Sequence, residues 1–164
     1  MLAPLSPEHA ASLQRHADDE LVWKNLFEGF PRPYTLADAQ AWCSGGWRAG
    51  GIVWGLSIDG EMVGCIGVRP DAGWLRCNAE VGYWIGRAYW GRGIATDALR
   101  TASDWAIAEI AELTRLYAPI FDSNLASQAV ARKAGYVLEG HMPFSAVKAG
   151  QVIGRVLYAR YRAP

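Results

Sequence analysis

The chain has 164 residues, and 51% of them are hydrophobic, so it is long enough to form one domain with a sizeable core. Sixteen basic side chains balance sixteen acidic ones, which argues against a nucleic acid or a membrane surface as a partner. No apolar run approaches the ~18 residues of a membrane-spanning helix, which excludes that class of protein.

Cysteine usage and the N-terminal segment indicate a cytoplasmic protein. Cys43, Cys65 and Cys77 stand far apart and form no CxxC pair, so we expect free thiols in a reducing compartment. No combination of His, Cys, Asp and Glu has the spacing typical of a metal site, so we expect no metal. The segment after Met1 lacks the basic and apolar regions of a signal peptide. We therefore expect one cytoplasmic domain over residues 1–164.

The N-terminal third contains two helix starts. Ser6-Pro7-Glu8 is typical of an N-cap, a proline at the first helical position and an acidic first turn. Thr35-Leu36-Ala37-Asp38 is similar to a capping box, with Asp in the place of Glu. The predicted elements are a short strand over residues 1–5, a helix that continues to about His16, and a second helix that ends near Gly45-Gly46 or shortly after.

Strands dominate the next part of the chain. Asp59-Gly60 is a strong signal for a tight hairpin turn. The strands predicted here cover residues 52–58, 61–68 and 76–85.

Helices and strands then alternate. Ile94, Leu99, Ala102, Ala106 and Ile110 lie near helical spacing. The predicted elements are a helix over 93 to about 113, a strand over 116–120, a helix over 123–134 that Gly135 ends, a strand from 137 past Phe144, and, after a turn at Ala149-Gly150, a strand over 152–161. This order predicts a mixed α/β or α+β fold, in which one sheet has helices against its faces.

The segment YWGRGIATDAL, residues 89–99, opens the long helix with two glycines. Glycine inside a helix costs roughly 0.5–1 kcal/mol relative to alanine. Backbone N–H groups that bind an anion at the helix start would offset this cost. The alternative is a turn that lets strand and helix pack closely. Residues 83–164 hold ten Lys and Arg against six Asp and Glu, which is consistent with a polyanionic ligand and equally with solvated surface charge.

Three anion-binding patterns compete for this segment. A Walker A loop fits the spacing of Gly86 and Gly91, but Arg92 and Gly93 stand where Lys and Ser or Thr belong. A dinucleotide fingerprint fails at its sixth position, Thr96. The pattern [Q/R]xxGx[G/A] matches residues 90–95 except at its first position, which is Trp.

The third pattern leads to a family. AEVGYWIGRAYWGRGIATDAL, residues 79–99, resembles the acetyl-CoA motif of the GNAT superfamily of N-acetyltransferases, and within it the RimJ/RimL branch. A second block, Asn124 to Ser127 followed by AGY and LEG at residues 134–140, is similar to that branch's NxxS…xGF…EG stretch. The resemblance covers about residues 50–161 well and implies a mixed, mostly antiparallel sheet of about six or seven strands flanked by about four helices.

The resemblance also implies acetyl-CoA as cosubstrate. Its pyrophosphate would lie on the loop and first helical turn, which are Gly91, Arg92, Gly93, Ile94, Ala95 and Thr96. Arg92 would add a charge-assisted contact there, or is a solvated loop arginine. Backbone N–H groups at Tyr83, Trp84 and Ile85 would stabilise the oxyanion. Asn124 would bind the pantetheine arm, unless it caps the following helix.

Two residues are candidates for the chemistry. Glu80 would act as general base through a water, or is a strand-face glutamate paired with Arg69 or Arg76. Ser127 would give a proton to the leaving thiolate or position it. Many superfamily members use a tyrosine seven residues after the asparagine, and here that position is Ala131.

The acceptor side is less well defined. Tyr83 and Trp84 would line the acceptor tunnel, or pack in the core. His141 lies near where acceptors enter in related folds, although a lone histidine is more often a surface or core residue. His9 and His16 are predicted at the surface.

The resemblance implies an N-acetyltransferase that moves an acetyl group from acetyl-CoA to a primary amine by direct attack in a ternary complex. The amine would belong to a protein N-terminus or to a small molecule. The alternative is a non-catalytic acyl-CoA-binding sensor or interaction module. A homodimer is left open.

Overall fold

A seven-stranded sheet forms the centre of the molecule. The computed structural model describes residues 1–46 and 51–162. Within them the strands are β1 (Leu2–Ala3), β2 (Ile52–Ile58), β3 (Glu61–Pro70), β4 (Asn78–Ile85), β5 (Arg115–Phe121), β6 (Val137–Lys148) and β7 (Gln151–Tyr161). Their order is β1-β2-β3-β4-β5-β7-β6, with β4 and β5 the parallel pair and the other neighbours antiparallel. The predicted mixed, mostly antiparallel sheet is confirmed.

Five α-helices occur in the described residues, one more than expected. They are α1 (Ala10–Ala17), α2 (Glu20–Trp23), α3 (Leu36–Ala41), α4 (Ile94–Glu109) and α5 (Leu125–Lys133). The unexpected helix is α2, whose four residues are too few to show a helical period. Its start is nevertheless encoded, because the Asp19 carboxylate accepts the N–H groups of Leu21 at 2.7 Å and Val22 at 3.3 Å.

Three of the predicted local signals are confirmed. Thr35 and Asp38 form the capping box, with Thr35 N 2.8 Å from Asp38 Oδ2 and Asp38 N 3.2 Å from Thr35 Oγ1. Asp59 and Gly60 form the hairpin turn between β2 and β3, both with positive φ. Gly135 follows the end of α5 with φ +88°.

Several predicted bounds are wrong by two to about four residues. The helix predicted to continue to about residue 113 ends at Glu109, because Ile110 takes an extended conformation that lets Leu113 bury completely. Arg76, the predicted start of β4, instead ends a 3₁₀ turn over Gly73–Leu75. The predicted helix end near Gly45-Gly46 is confirmed, because α3 over Leu36–Ala41 continues as a π turn over Trp42–Gly46. Trp47, just beyond, lies outside the described residues.

Two buried clusters lie on opposite faces of the sheet. One packs β3, β4 and β5 against α4 and α5, and includes Val81, Leu99 and Leu116. The other packs α1 and α3 against β3 from the opposite side and includes Leu13 and Cys65. Burial raises the pKa of the Cys65 thiol to about 12, which suits a structural thiol.

The prediction for His9 and His16 is wrong. Their side chains are only 22% and 16% exposed. His16 Nε2 lies 3.1 Å from Glu61 Oε1, so this histidine ties α1 to the β2–β3 hairpin. No helix in the part of the chain that the structure describes is long and apolar enough to cross a membrane.

Candidate functional site

A cleft of about 500 Å³ opens through the sheet between β4 and β5. We call one opening the α4–α5 side, which is lined by Gly91, Gly93, Ile94, Ala95, Thr96, Asn124, Ser127 and Lys133. The opposite opening is the α2 side, which is lined by Val22, Asn25, Leu26, Phe27, Glu80, Trp84 and Arg155. A molecule in this cleft would contact both faces of the sheet.

The cleft exists because β4 and β5 separate. Their parallel pairing ends at Glu80 and Tyr117, although β4 continues to Ile85 and β5 to Phe121. Both strands remain paired on their outer sides, β4 with β3 and β5 with β7. Backbone groups along the inner edges therefore face the cleft instead of each other.

The N–H groups of Tyr83 and Ile85 on β4 point into this gap, beyond the last paired residues. The carbonyl of Asn78 and the N–H of Gly86 both bond to the β3 side, so the even-numbered residues of β4 face β3. The backbones of Val81, Tyr83 and Ile85 consequently face the cleft. An extended ligand amide could pair with them as a further strand would.

A proline on β5 favours the separation. The Thr114 carbonyl accepts the N–H of Arg162, directly after β7, and the Asp122 N–H donates to the Gly154 carbonyl of β7, so the odd-numbered residues of β5 face β4. After Tyr117, the next donor toward the Val81 carbonyl would be Pro119. Proline has no N–H group, so this rung of the ladder cannot form, and the pairing ends at the rung before it.

The glycines of the loop before α4 are explained by backbone conformation. Gly91 and Gly93 have φ of +73° and +81°, in the left-handed region that glycine adopts without strain. Gly93 caps α4, and its carbonyl accepts the N–H groups of Thr96 and Asp97. The N–H groups of Ile94 and Ala95 come before the first intrahelical bond and lie at the cleft wall.

Arg92 is exposed and is not among the residues that line the cleft. Its guanidinium carbon lies 5.3 Å from the centroid of the Tyr89 ring. The Tyr89 hydroxyl donates to Glu61, 3.1 Å away, and Glu61 also accepts from Arg15 at 2.6 Å. The hydrogen bonds from Arg15, His16 and Tyr89 lower the pKa of the Glu61 carboxyl. This network anchors the glycine loop to α1 and the hairpin.

A phenol from β4 meets the first turn of α5. The Tyr83 hydroxyl lies 2.9 Å from Ser127 Oγ and 3.2 Å from the Ser127 carbonyl oxygen. Burial raises the pKa of Tyr83 to about 12, so the phenol is neutral at physiological pH. Asn124 caps α5, because its Oδ1 accepts the N–H of Ser127 at 3.1 Å.

Glu80 carries an ion pair at the α2 side. Its Oε2 lies 2.7 Å from Arg69 Nη2, directly across from it in the β3–β4 register. The side chain is 31% exposed, and Oε1 accepts no hydrogen bond from the described residues. Arg76, the other expected partner, pairs with Glu112 instead. Glu80 is thus fixed by Arg69 with one oxygen left for a water or a ligand.

The family model for the acetyltransferase (GNAT) domain matches residues 1–137. The chain belongs to the GNAT acetyltransferase family. Two curated relatives match about half of this chain in sequence. YdaF of Bacillus subtilis (strain 168), which carries a ribosomal N-acetyltransferase name, is 36% identical over 90 residues, which are 55% of this chain and 48% of YdaF. The chain spans about half the length of the curated relatives it matches.

Solved GNAT structures resemble the whole chain. RimJ of Mycobacterium smegmatis, in complex with CoA-disulfide, superimposes with a TM-score of 0.85 at 26% identity, covering 98% of this chain and 80% of RimJ. RimL, a ribosomal L7/L12 alpha-N-protein acetyltransferase in complex with coenzyme A, gives 0.82 at 21% identity, covering 98% and 92%, which supports the fold alone. Together with YdaF, these matches confirm the RimJ/RimL-like branch.

The structure brings most of the predicted GNAT site residues together. Tyr83 and Ile85 direct their backbones into the cleft, whereas the backbone of Trp84 faces β3 and only its side chain belongs to the cleft wall. Arg92 and His141 are not among the lining residues. His141 is 57% exposed and lies 3.6 Å from Asp122.

Sequence reasoning missed three features of this GNAT site. The cleft wall formed by α2 was not predicted because α2 itself was not predicted, although Asp19 signals the start of that helix. The Tyr83 phenol has no signal of its own in the sequence, because the tyrosine that many superfamily members use belongs to α5, where the position is the buried Ala131. Arg155 was missed because nothing in the β7 sequence distinguishes a cleft residue from a surface one.

Proposed function

We propose that the protein is an acetyl-CoA-dependent N-acetyltransferase that acts on a primary amine, either a polypeptide N-terminus or a small molecule. The cleft through the sheet supports this most directly. On one face it offers an anion-binding helix start, and on the other a fixed carboxylate. A cosubstrate and an acceptor could therefore meet from opposite faces, as direct transfer requires.

Acetyl-CoA would bind from the α4–α5 side. The exposed N–H groups of Ile94 and Ala95 and the α4 dipole, worth about half a positive charge, suit the pyrophosphate. Lys133 adds a cation to the same wall. The pantetheine amides would pair with the β4 backbone at Tyr83 and Ile85, which brings the thioester toward Val81 and Glu80.

Glu80 would serve as the base for the attacking amine. An α-amine with a pKa of about 7.7–8.0 is neutral in roughly a tenth of molecules at pH 7, whereas a lysine amine near 10.4 is neutral in roughly one in a few thousand. An α-amine acceptor therefore needs little help from a general base, whereas a lysine acceptor needs a strong one. The free Oε1 of Glu80 could receive the proton through one water.

Ser127 would assist the leaving sulfur. When nitrogen attacks, the N–C bond forms, and the C–S bond breaks as the oxyanion collapses, so the sulfur leaves as a thiolate and gains a proton. A thiol has a pKa of about 8.5, so the Tyr83 phenol at about 12 cannot supply that proton to it at equilibrium. An amine that binds as its ammonium form loses two protons, one to Glu80 through water before the attack and one to the thiolate after it, and Ser127, held by Tyr83, would pass or position the second proton.

A thermal shift experiment tests the first half of this proposal. Acetyl-CoA, CoA, ATP and NAD are compared at equal concentration. A ligand at 100 times its Kd stabilises the fold by about 2.7 kcal/mol, which raises Tm by roughly 5–10 °C for a chain of this size. A shift with the two CoA species alone is expected, and no shift with either would refute the proposal.

Thiol release with a panel of amines tests the second half. Wild type is expected to release CoA in the presence of an amine, and Glu80→Gln and Ser127→Ala should turn over more slowly while still binding acetyl-CoA. Binding without turnover in wild type, for every amine tried, would instead support the non-catalytic acyl-CoA-binding module.

A further inference from the structure

Some of the charged side chains that line the cleft have an ion-pair partner and others do not. Among the described residues, the lining contains Glu80 as its carboxylate and Lys133 and Arg155 as its cations. Glu80 is already neutralised by Arg69. Lys133 lies on the α4–α5 side, where the phosphates of acetyl-CoA are proposed to bind. Arg155 is left as the cation of the opposite opening.

Arg155 reaches the α2 side because of its place on β7. Its neighbour Val156 packs into the cluster beneath α4 and α5, so Arg155 projects from the other face. There it shares the cleft wall with Phe27 and Phe121, and it is paired in register with Phe121. Its surroundings are therefore largely apolar.

The Arg155 guanidinium is oriented but not neutralised. Its Nε donates to Ser145 Oγ at 3.1 Å, and Ser145 in turn donates to the Met142 carbonyl at 2.7 Å. Within residues 1–46 and 51–162, no carboxylate lies within 4 Å of it, whereas Arg160 on the same strand pairs with Asp104 at 2.5 Å. No acceptor in the described part of the chain hydrogen-bonds to the two terminal nitrogens of the guanidinium.

We propose that Arg155 binds a carboxylate of the acceptor, so that the substrate is an amine that also carries an acidic group. This inference rests on the proposed acetyl transfer. A half-buried guanidinium with one edge fixed by Ser145 presents its other edge for bidentate binding of a planar anion, which an apolar wall strengthens. The acceptor would thus lie with its amine at Glu80 and its carboxylate at Arg155.

The separation of these two groups sets the reach of the acceptor. Glu80 lies opposite Tyr117 and Arg155 opposite Phe121, four residues farther along β5, which is about 13 Å along the strand. Both side chains extend into the cleft and shorten that distance. A side-chain carboxylate of the acceptor fits this span better than a carboxylate one carbon from the amine.

Matched acceptor pairs test the proposal. We compare kcat/KM for glutamate against glutamine, and for the peptide Ala-Glu-amide against Ala-Gln-amide, which have similar amine basicity. Wild type should prefer the acidic member of at least one pair by roughly tenfold or more, as hydrogen bonds to charged groups predict. The pair that shows the preference identifies a small-molecule or a polypeptide acceptor.

Variants assign that preference to the guanidinium. Arg155→Gln should bring the ratio close to one by raising KM for the acidic acceptor, Arg155→Lys should retain part of it, and Arg160→Gln should leave it unchanged. The acetyl-CoA-induced thermal shift should be equal in all of them. Acetylation of neutral and acidic acceptors at equal rates, or a preference that survives Arg155→Gln, would overturn this inference alone. Failure of wild type to acetylate any amine would overturn the proposed function with it.

Discussion

On the α4–α5 side the cleft is formed largely by backbone, and on the α2 side it is formed by side chains. The first opening presents the N–H groups of Ile94 and Ala95 and the free edge of β4. The second presents Glu80 and Arg155, each held by a neighbour from another strand. A site formed by backbone groups suits the cosubstrate that all members of a family share. A site formed by side chains can change its acceptor specificity through one substitution.

Glu80→Gln should give the largest effect on the α2 side. Removal of the proposed base should lower kcat by about 100-fold, because general bases contribute at least that much. Binding of acetyl-CoA should be unchanged, since Glu80 lies away from the α4–α5 side. Steady-state kinetics across pH, together with thermal shift, measure both.

Glu112→Gln is the matched control for Glu80→Gln. Glu112 also pairs with an arginine, Arg76, at 2.7 Å, but it does not line the cleft. If Glu80→Gln retains full kcat, then Glu80 only holds Arg69.

Gly93→Ala should give the next largest effect, on the α4–α5 side. A side chain at φ +81° is strained by about 1–2 kcal/mol, so the loop should relax and displace the N–H groups of Ile94 and Ala95. Affinity for acetyl-CoA should fall by roughly tenfold, because that strain must be restored on binding. Calorimetric titration measures the loss.

Gly150→Ala separates strain from ligand binding. Gly150 has φ +75° in the β6–β7 turn, and neither it nor Gly93 has a neighbour that a Cβ would meet. Both variants should lose similar stability, while Gly150→Ala keeps the wild-type affinity. Equal affinities in the two variants would contradict a role for the glycine loop.

The two sides also differ in how far the sequence predicts them. Gly91 and Gly93 could be identified because their backbone conformation restricts the residue type, and Asn124 and Ser127 because they start a helix. The pairing of Arg155 with Ser145 depends on the register between β6 and β7, which is irregular near Met142. The Tyr83 phenol depends on the separation of β4 from β5, which lets it reach α5. Neither contact has a local pattern in the sequence.

Ser127→Ala should have a smaller effect than Glu80→Gln. Loss of the hydroxyl next to the leaving sulfur should lower kcat by roughly tenfold, because one neutral hydrogen bond is lost. Tyr83→Phe should reproduce part of this loss without altering the pH profile below pH 10, since the pKa of Tyr83 is raised to about 12 and the phenol does not titrate there. A profile that shifts in Tyr83→Phe would show that the phenol transfers protons itself.

Pro119→Ala should have the smallest effect. It tests why β4 and β5 separate, which is what connects the two openings of the cleft. Alanine restores an N–H that can reach the Val81 carbonyl, and a backbone hydrogen bond contributes about 1 kcal/mol. Acetyl-CoA must break that bond to enter, so its Kd should rise by about fivefold. Pro70→Ala, at the exposed end of β3, makes the same chemical change outside the cleft and should leave Kd unchanged. If Pro119→Ala binds acetyl-CoA as wild type does, then the strands are held apart by the packing of α4 and α5 instead of by the missing donor.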